Sequence, residues 1–150
     1  MASLWEQTWE HPHIPRVEGD MSTDVLIIGG GMAGILCAYL LHQAGVSYLL
    51  AEAETICSGI TKNTTAKLTS QHGLIYDRLI RTFGLERARQ YFSANQAALQ
   101  TYRELCREIP CDFEEKDAYV YSRDDRKKLE EEVAALELLG APAEFVERLP

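Results

Sequence analysis

The chain has 150 residues, the size of one ordinary domain, and 46% of them are hydrophobic, which is sufficient for a packed core. Its formal net charge of -8 argues against nucleic acid or an anionic membrane face as a partner, because both attract clustered Lys and Arg. No apolar run has the length of a transmembrane segment, and the first residues lack the basic and apolar regions of a secretory signal. A cytoplasmic protein is therefore expected.

Residues 1–22 are polar, show no sustained hydrophobic period, and are predicted to form an arm that leads into the fold. Trp5 and Trp9 are one helical turn apart, so a short helical turn would allow both rings to dock on the domain surface. His11 and His13 have no Cys, Asp or Glu at ligand spacing, so surface positions are favoured over a metal site.

The cysteines have neither the paired short spacings of a zinc site nor the density of a small disulfide scaffold. We expect reduced thiols and no bound metal. A redox pair across Pro110 remains an alternative for the last two members of the set, which is Cys37, Cys57, Cys106 and Cys111.

An apolar run with β-branched residues, 24–28, is typical of a strand that is covered on both faces. Glycines interrupt it, and a mostly apolar helix is predicted over 32–44, closed by Gly45 at the C′ position. A second strand is predicted over 46–51. Strand, glycine turn, helix and strand together predict a βαβ unit with a parallel sheet.

The turn after the first strand, Gly29-Gly30-Gly31-Met32-Ala33-Gly34, fits the G-x-G-x-x-G fingerprint of dinucleotide-binding proteins. Gly29 permits a tight turn, and Gly34 permits close packing of the helix on the strands. Gly31 leaves room for a pyrophosphate, which would meet the free N–H groups at Met32 and Ala33 and the positive end of the helix.

Glu52 follows Gly34 by 18 residues, at the end of the second predicted strand. A carboxylate there can accept hydrogen bonds from ribose hydroxyls and would repel a 2′-phosphate, which disfavours NADP. A simple glycine-rich turn between a core strand and a helix would leave Glu52 unexplained. The combination therefore predicts a dinucleotide site.

A further βα repeat of a simple nicotinamide-binding domain does not follow. Instead, residues 53–73 form a polar loop, and two helices are predicted after it, over 74–83 ending at Gly84 and over 85–109 ending at Pro110. Residues at helical spacing are expected to form one buried face on the second helix, to which no cofactor role is given. That face comprises Ala88, Tyr91, Phe92, Asn95, Ala98, Leu99, Tyr102, Leu105, Cys106 and Ile109.

The last part of the chain predicts a strand over 117–121, a helix that begins after Ser122 and Asp125 and runs to Leu139, and a strand over 143–146. Two residues that interrupt helices follow the helix, Gly140 and Pro142. One charged face of this helix is expected to be solvated, and it consists of Lys127, Lys128, Glu130, Glu131 and Glu132.

The stretch CSGITKNTTAK, residues 57–67, offers hydroxyls and backbone amides that could reach the pyrophosphate, the ribityl chain or the flavin ring. With the glycine turn and Glu52, it resembles the D-amino acid oxidase-like family of FAD-dependent oxidoreductases. Residues 64–77 are most similar to the subset that ends in a Rieske iron–sulfur domain, and the resemblance spans roughly 24–150. It implies contacts to the flavin linker and ring edge from Ser58, Gly59, Thr61, Thr64 and Thr65.

Some members of this family link the flavin covalently to a histidine, and the comparable position here is Asn63, so non-covalent FAD is expected. His72 lies nearby, and an ordinary hydrogen-bonded histidine is favoured over a catalytic one. No Cys-x-His ligand pair of a Rieske cluster occurs, so a 2Fe-2S cluster would belong to a C-terminal region that is not present here. No catalytic residue is assigned.

The predicted fold is α/β, a Rossmann-like FAD-binding βαβ unit with inserted helices and the start of an α+β substrate domain. Residues 1–22 form the arm, 23–111 the FAD-binding domain with a helical segment at 74–109, and 112–150 the start of the substrate domain. Since two parallel strands cannot bury both faces of a sheet alone, the chain is expected to be a fragment.

The chain is predicted to be the N-terminal FAD-binding portion of an enzyme. That enzyme would oxidise an amine or amino acid at a C–H or C–N bond by hydride transfer to flavin. It would take a small-molecule substrate and an electron acceptor that the sequence does not identify. Two alternatives remain open: a non-catalytic dinucleotide-binding fragment, and an NAD-dependent dehydrogenase domain.

Overall fold

The structure is a computed structural model that describes residues 3–8 and 12–148. The expectations for Trp9 and His11 lie outside the described residues. The chain forms two compact units, Met1–Lys67 and Leu68–Pro150. The predicted boundary between residues 111 and 112 separates the FAD-binding domain from the start of the substrate domain. The division into compact units does not test it, and it stays a prediction.

The first unit contains helix α1 (Leu4–Thr8), strand β1 (Val25–Ile28), helix α2 (Met32–Gln43), strand β2 (Tyr48–Ala51) and a single 3₁₀ turn (Thr61–Asn63). The two strands are parallel, with Val25 opposite Tyr48 and Ile28 opposite Ala51. Helix α2 packs on both strands, and Ile27 and Ala38 are buried. The predicted βαβ unit is therefore confirmed.

The end of helix α2 follows the predicted glycine closure. Gly45 has φ +68°, its N–H donates to the carbonyl of His42, and the N–H of Val46 donates to the carbonyl of Leu41 at 3.0 Å. These are the two hydrogen bonds of a Schellman motif. Because Val46 is used to close the helix, strand β2 begins at Tyr48 rather than at the predicted residue 46.

The sheet is covered on only one face, which corrects the expectation of a doubly covered strand β1. Successive side chains of a strand point to opposite faces. Ile27 is buried, whereas 54% of Leu26 and 84% of Ile28 are exposed.

The second unit contains helices α3 (Tyr76–Phe83), α4 (Leu85–Leu105) and α5 (Arg126–Leu139), and α3 packs against both of the others. Gly84, with φ +84°, separates α3 from α4 as predicted. The buried core consists of Tyr76, Ala88, Ala135, Leu136 and Leu139.

Helix α4 ends at Leu105, four residues before the predicted end, because the last turn tightens. The N–H of Arg107 donates to the carbonyl of Glu104, three residues back. The predicted buried face is right at Ala88 and Phe92, but 41% of Tyr91 is exposed. Ile109, beyond the helix, is also exposed.

The N-terminus of helix α5 divides the predicted capping between two residues. Asp125 is the N-cap, and its Oδ1 accepts a hydrogen bond from the N–H of Lys128 at 3.1 Å. Ser122 closes the preceding turn, where its hydroxyl accepts from the N–H of Asp125. Gly140, with φ +79°, ends the helix as predicted.

The strands predicted at 117–121 and 143–146 are wrong for this structure. Both segments are irregular, and neither pairs with a strand in the described part of the chain. Alternation of apolar and polar residues makes a segment suitable for a sheet, but a strand needs the hydrogen bonds of a neighbour.

Glu132 is the largest correction to the sequence prediction, because it is buried rather than solvated, with 3% of its surface exposed. Its Oε1 accepts hydrogen bonds from the backbone N–H groups of Ile75 (3.0 Å) and Tyr76 (2.9 Å), and from the side-chain amide of Gln71. Its Oε2 accepts from the N–H of Asp77 at 3.0 Å. A carboxylate of α5 therefore caps the N-terminus of α3, where a negative charge is favourable.

Across residues 3–8 and 12–148, no helix combines the length and the apolar character needed to cross a membrane. The four cysteines are free thiols. Burial, together with the neighbouring thiol of Cys111, raises the pKa of Cys106.

Candidate cofactor site

The glycine turn between β1 and α2 depends on two glycines for its shape. Gly29 has φ +105°, a conformation that favours glycine, and its N–H donates to the carbonyl of Ala51 at 2.8 Å. A Cβ on Gly34 would lie 2.0 Å from the carbonyl oxygen of Gly29. Gly34 therefore allows the close approach of helix and strand that its place in the pattern predicts.

Gly31 has a different environment, because the space in front of it is open. A Cβ there would meet only the hydroxyl oxygen of Thr61, at 3.6 Å. Gly31 is the N-cap of α2, and the first helical N–H group, that of Met32, donates to the same hydroxyl at 3.1 Å. Ala33 follows on the exposed side of the first turn. The arrangement is a cradle at the positive end of a helix, which suits a phosphate group.

Gly30, a variable position of the fingerprint, joins the turn to the rest of the site. Its N–H donates to Oε2 of Glu52 at 2.7 Å, and its carbonyl accepts from the N–H of Cys57 at 2.8 Å. A Cβ would lie 2.8 Å from Cγ2 of Ile56 and 3.2 Å from Cβ of Glu52. Sequence reasoning missed this residue, because the contacts that require a glycine here come from a loop more than 20 residues away.

The carboxylate of Glu52 is anchored beside the glycine turn while remaining exposed to solvent. Besides the bond from Gly30, its Oε1 accepts from the N–H of Glu54 at 3.0 Å. These two hydrogen bonds, the one from Gly30 first, hold the pKa of Glu52 below its ordinary value of 4.5. Each carboxylate oxygen can accept a further hydrogen bond, so the ribose contact remains a prediction that this geometry allows.

Replacing Glu52 with Gln is expected to weaken FAD binding by at least about tenfold, since a charge-assisted acceptor contributes roughly 1.5–3 kcal/mol. Glu52→Lys is expected to weaken it further. The check is titration of the natural protein that contains this chain with FAD, followed by flavin fluorescence. Glu54→Gln is the matched control, because Glu54 contributes only its backbone N–H to the carboxylate. Unchanged affinity in both Glu52 variants would contradict the ribose assignment.

The same residue predicts an acidic limit on stability. Because the pKa of Glu52 is lowered on folding, its stabilising effect is present above about pH 4.5 and is lost as the pH falls through the lowered value. Glu52→Gln is expected to remove that part of the pH dependence, measured as the unfolding midpoint between neutral and acidic pH. If the unfolding midpoint of the variant depended on pH as that of the wild-type protein does, the lowered pKa of Glu52 would be contradicted.

The predicted loop residues are only partly brought to the helix end. Thr61 contacts Met32 directly through its hydroxyl, as described above. The carbonyl of Gly59 accepts from the side chain of Asn63, and the carbonyl of Thr64 accepts from the indole N–H of Trp5. Of the other two predicted residues, Ser58 is half-buried and Thr65 is exposed.

His72 belongs to the second compact unit, where it is exposed. Its Nε2 lies 3.4 Å from the side-chain oxygen of Asn95, within hydrogen-bonding distance. The contact is compatible with an ordinary hydrogen-bonded histidine, and its lack of a catalytic role stays a prediction.

The site as a whole fits a dinucleotide. Gly31 leaves an open cradle, the first turn of α2 supplies N–H donors and a positive pole, and Glu52 supplies acceptors beside them. These are the groups that pyrophosphate and ribose require.

Comparison with known proteins shows to which family of dinucleotide-binding proteins this chain belongs. A family model described as FAD dependent oxidoreductase (DAO) matches residues 24–149. The chain belongs to the FAD dependent oxidoreductase family. Membership confirms the resemblance predicted from the sequence and identifies the cofactor as FAD.

Two curated relatives of this family member are informative. The chain is 39% identical over 152 residues to "Putative Rieske 2Fe-2S iron-sulfur protein YhfW" of Bacillus subtilis, covering 99% of this chain and 30% of that protein. It is 26% identical over 106 residues to "Gamma-glutamylputrescine oxidoreductase" of Escherichia coli, covering 69% of this chain and 25% of that protein. The chain thus spans less than a third of either relative. No solved structure matches it.

Proposed function

We propose that this chain is the FAD-binding portion of a flavin-dependent enzyme that oxidises an amine or amino acid at a C–H or C–N bond. The observation that carries the proposal is the open cradle at Gly31, which faces the N-terminus of α2 and has Glu52 anchored beside it. In an FAD dependent oxidoreductase, that combination has a clear use in holding the ADP half of the cofactor.

The residues of the chain bind and orient the cofactor rather than carry out the redox step. The backbone N–H of Ala33 would hold the pyrophosphate, joined by that of Met32 once the Thr61 hydroxyl that accepts from it moves aside, and Glu52 would accept hydrogen bonds from the ribose. When bound, FAD supplies the hydride acceptor of its flavin ring. Contacts to its linker and ring edge are proposed for Ser58, Gly59, Thr61, Thr64 and Thr65. Because Asn63 stands where some family members have the histidine that is linked to the flavin, we propose that FAD is bound non-covalently.

The substrate class and the further cofactor rest on the relatives. The name of the Escherichia coli relative refers to an oxidoreductase of a glutamylated amine, which supports an amine substrate. The name of the Bacillus subtilis relative refers to a Rieske 2Fe-2S protein, which supports a cluster in a region outside this chain. Residues 112–150 are proposed to begin the substrate domain, and the electron acceptor is not identified.

An NAD-dependent dehydrogenase domain is disfavoured by the family match, which covers residues 24–149. A non-catalytic FAD-binding module shares the same cradle, and only an experiment on electron transfer separates it from an enzyme.

The test uses the natural protein that contains this chain, purified and titrated with FAD and with NAD. We expect a visible flavin spectrum, FAD bound in preference to NAD, and loss of that spectrum when an amine or amino acid is added without oxygen. A matched hydroxy acid serves as the control substrate. A protein that binds FAD but is reduced by no amine or amino acid would contradict the proposed reaction, and preference for NAD would contradict the cofactor.

A further inference from the structure

The N-terminal helix α1 lies against the loop that the proposed function assigns to the flavin. It packs on the 3₁₀ turn Thr61–Asn63. The Nζ of Lys62 lies 2.6 Å from Oε1 of Glu6, and the indole N–H of Trp5 donates to the carbonyl of Thr64 at 3.0 Å. These contacts join parts of the chain that are 56 and 59 residues apart.

Helix α1 has its own local start signal. The hydroxyl of Ser3 accepts from the N–H of Glu6 at 3.2 Å, and the carboxylate of Glu6 accepts from the N–H of Ser3 at 2.9 Å, which together form a capping box. A helix of five residues is too short to be stable alone. Its position therefore depends on the contacts from Trp5 and Glu6 to the loop.

Helix α1 and the loop border a cavity of about 330 Å³ that is open to solvent, next to the N-terminus of α2. Trp5 and Glu6 contribute to one wall, and Met32, Cys57 and Thr61 contribute to the others. Met32 and Thr61 are the same two residues whose hydrogen bond borders the phosphate cradle. The cavity therefore continues from the cradle and has largely apolar and aromatic walls with a positive pole at the helix end.

The family model covers residues 24–149, so α1 lies outside the part of the chain that the family shares. The similarity to the Bacillus subtilis protein, by contrast, extends over 99% of this chain. Helix α1 is thus an addition to the common dinucleotide-binding unit.

We propose that helix α1 is a strap that retains FAD, in which Trp5 and Glu6 are positioning residues that hold the loop 57–66 against the N-terminus of α2. The inference rests on the proposed function, because it takes FAD as the ligand of the cavity and cradle. Neither residue takes part in the redox step. Their effect is on how long the cofactor stays bound, since the loop must lift away before the linker of FAD can leave.

The test measures the rate of FAD dissociation from the natural protein by recovery of flavin fluorescence, with unfolding of the FAD-free protein measured in parallel. Trp5→Ala is expected to raise the dissociation rate by about tenfold, the equivalent of one lost hydrogen bond, with little change in the unfolding midpoint without FAD. Leu4→Ala is the matched control on the same helix, because 62% of Leu4 is exposed.

A charge exchange tests the ion pair separately. Glu6→Lys is expected to raise the dissociation rate, and the double variant Glu6→Lys with Lys62→Glu is expected to recover part of the wild-type value, since it restores the ion pair but not the capping box. A double variant no better than Glu6→Lys, a Trp5→Ala protein with the wild-type rate, or one that binds FAD more tightly would each overturn the strap. A wild-type protein that binds no FAD would instead overturn the proposed function, and the inference with it.

Discussion

Gly34→Ala is expected to disrupt the first compact unit, even though it adds a single methyl group. The added Cβ would lie 2.0 Å from the carbonyl oxygen of Gly29, and that atom belongs to the backbone. Relief would require Gly29 to move and to lose its hydrogen bond to the carbonyl of Ala51. We expect a loss of about 3 kcal/mol in the free energy of unfolding, at the upper end of overpacking effects. Chemical denaturation followed by circular dichroism measures it.

Gly31→Val is expected to have the opposite profile, with the fold retained and FAD binding reduced at least about 100-fold. Its side chain would enter the open space that faces Thr61, where it would exclude a phosphate from two or more N–H donors. Flavin fluorescence during FAD titration measures the loss.

Gly59→Ala is the control for folding alone, because a Cβ there meets no atom within 4 Å. Its FAD affinity is not compared, since Gly59 is one of the residues proposed to contact the cofactor. Equal loss of folding in the Gly31 and Gly34 variants would show that the two glycines do not have separate roles.

Glu132→Ala is expected to destabilise the helical unit by about 3–5 kcal/mol. It removes a buried carboxylate that accepts hydrogen bonds from three backbone N–H groups and from Gln71. The N–H of the buried Tyr76 and those of its partly buried neighbours are left without that acceptor. Glu132→Gln is expected to be nearly as harmful. Its side-chain amide has only one acceptor oxygen, and its NH₂ group would face the backbone N–H groups at the start of α3, which are also donors. Denaturant unfolding monitored by the helical signal gives both values.

Glu131→Gln is the matched control from the same acidic run. The side chain of Glu131 forms ion pairs with Arg81 and Lys127, and both partners are exposed. Such pairs contribute roughly 0–1 kcal/mol, so the change is expected to be small. If Glu131→Gln were as harmful as Glu132→Ala, the special role of the buried carboxylate would be refuted.

The parts of the fold that follow from local chemistry were predictable from the sequence. The apolar run of β1, the glycine turn and the apolar helix α2 predicted the βαβ unit, and the structure has it. Helix ends were predictable where a glycine adopts positive φ, as at Gly45 and Gly140. The prediction of strands at 117–121 and 143–146 was wrong, because a strand needs hydrogen bonds to a neighbouring strand.

The candidate site was predictable only in part. Gly34 and the open space at Gly31 follow from a short motif, because each role depends on residues close in sequence or on a ligand common to a whole family. The same motif gave no sign that Gly30 would bind Glu52 and Cys57. It also gave no sign that Thr61 would reach the N–H of Met32.

By itself, then, the sequence determined the βαβ unit, since it depends on spacings within one element or between adjacent ones, and its resemblance to known proteins gave the FAD dependent oxidoreductase family. The dinucleotide role of the glycine turn stays a prediction. Only the tertiary structure decided that Glu132 caps helix α3 and that Trp5 and Glu6 contact the loop at Thr64 and Lys62. Those contacts join residues more than 50 positions apart. A charged or aromatic residue has the same local pattern whether it meets such a partner or water, so its role is set by packing.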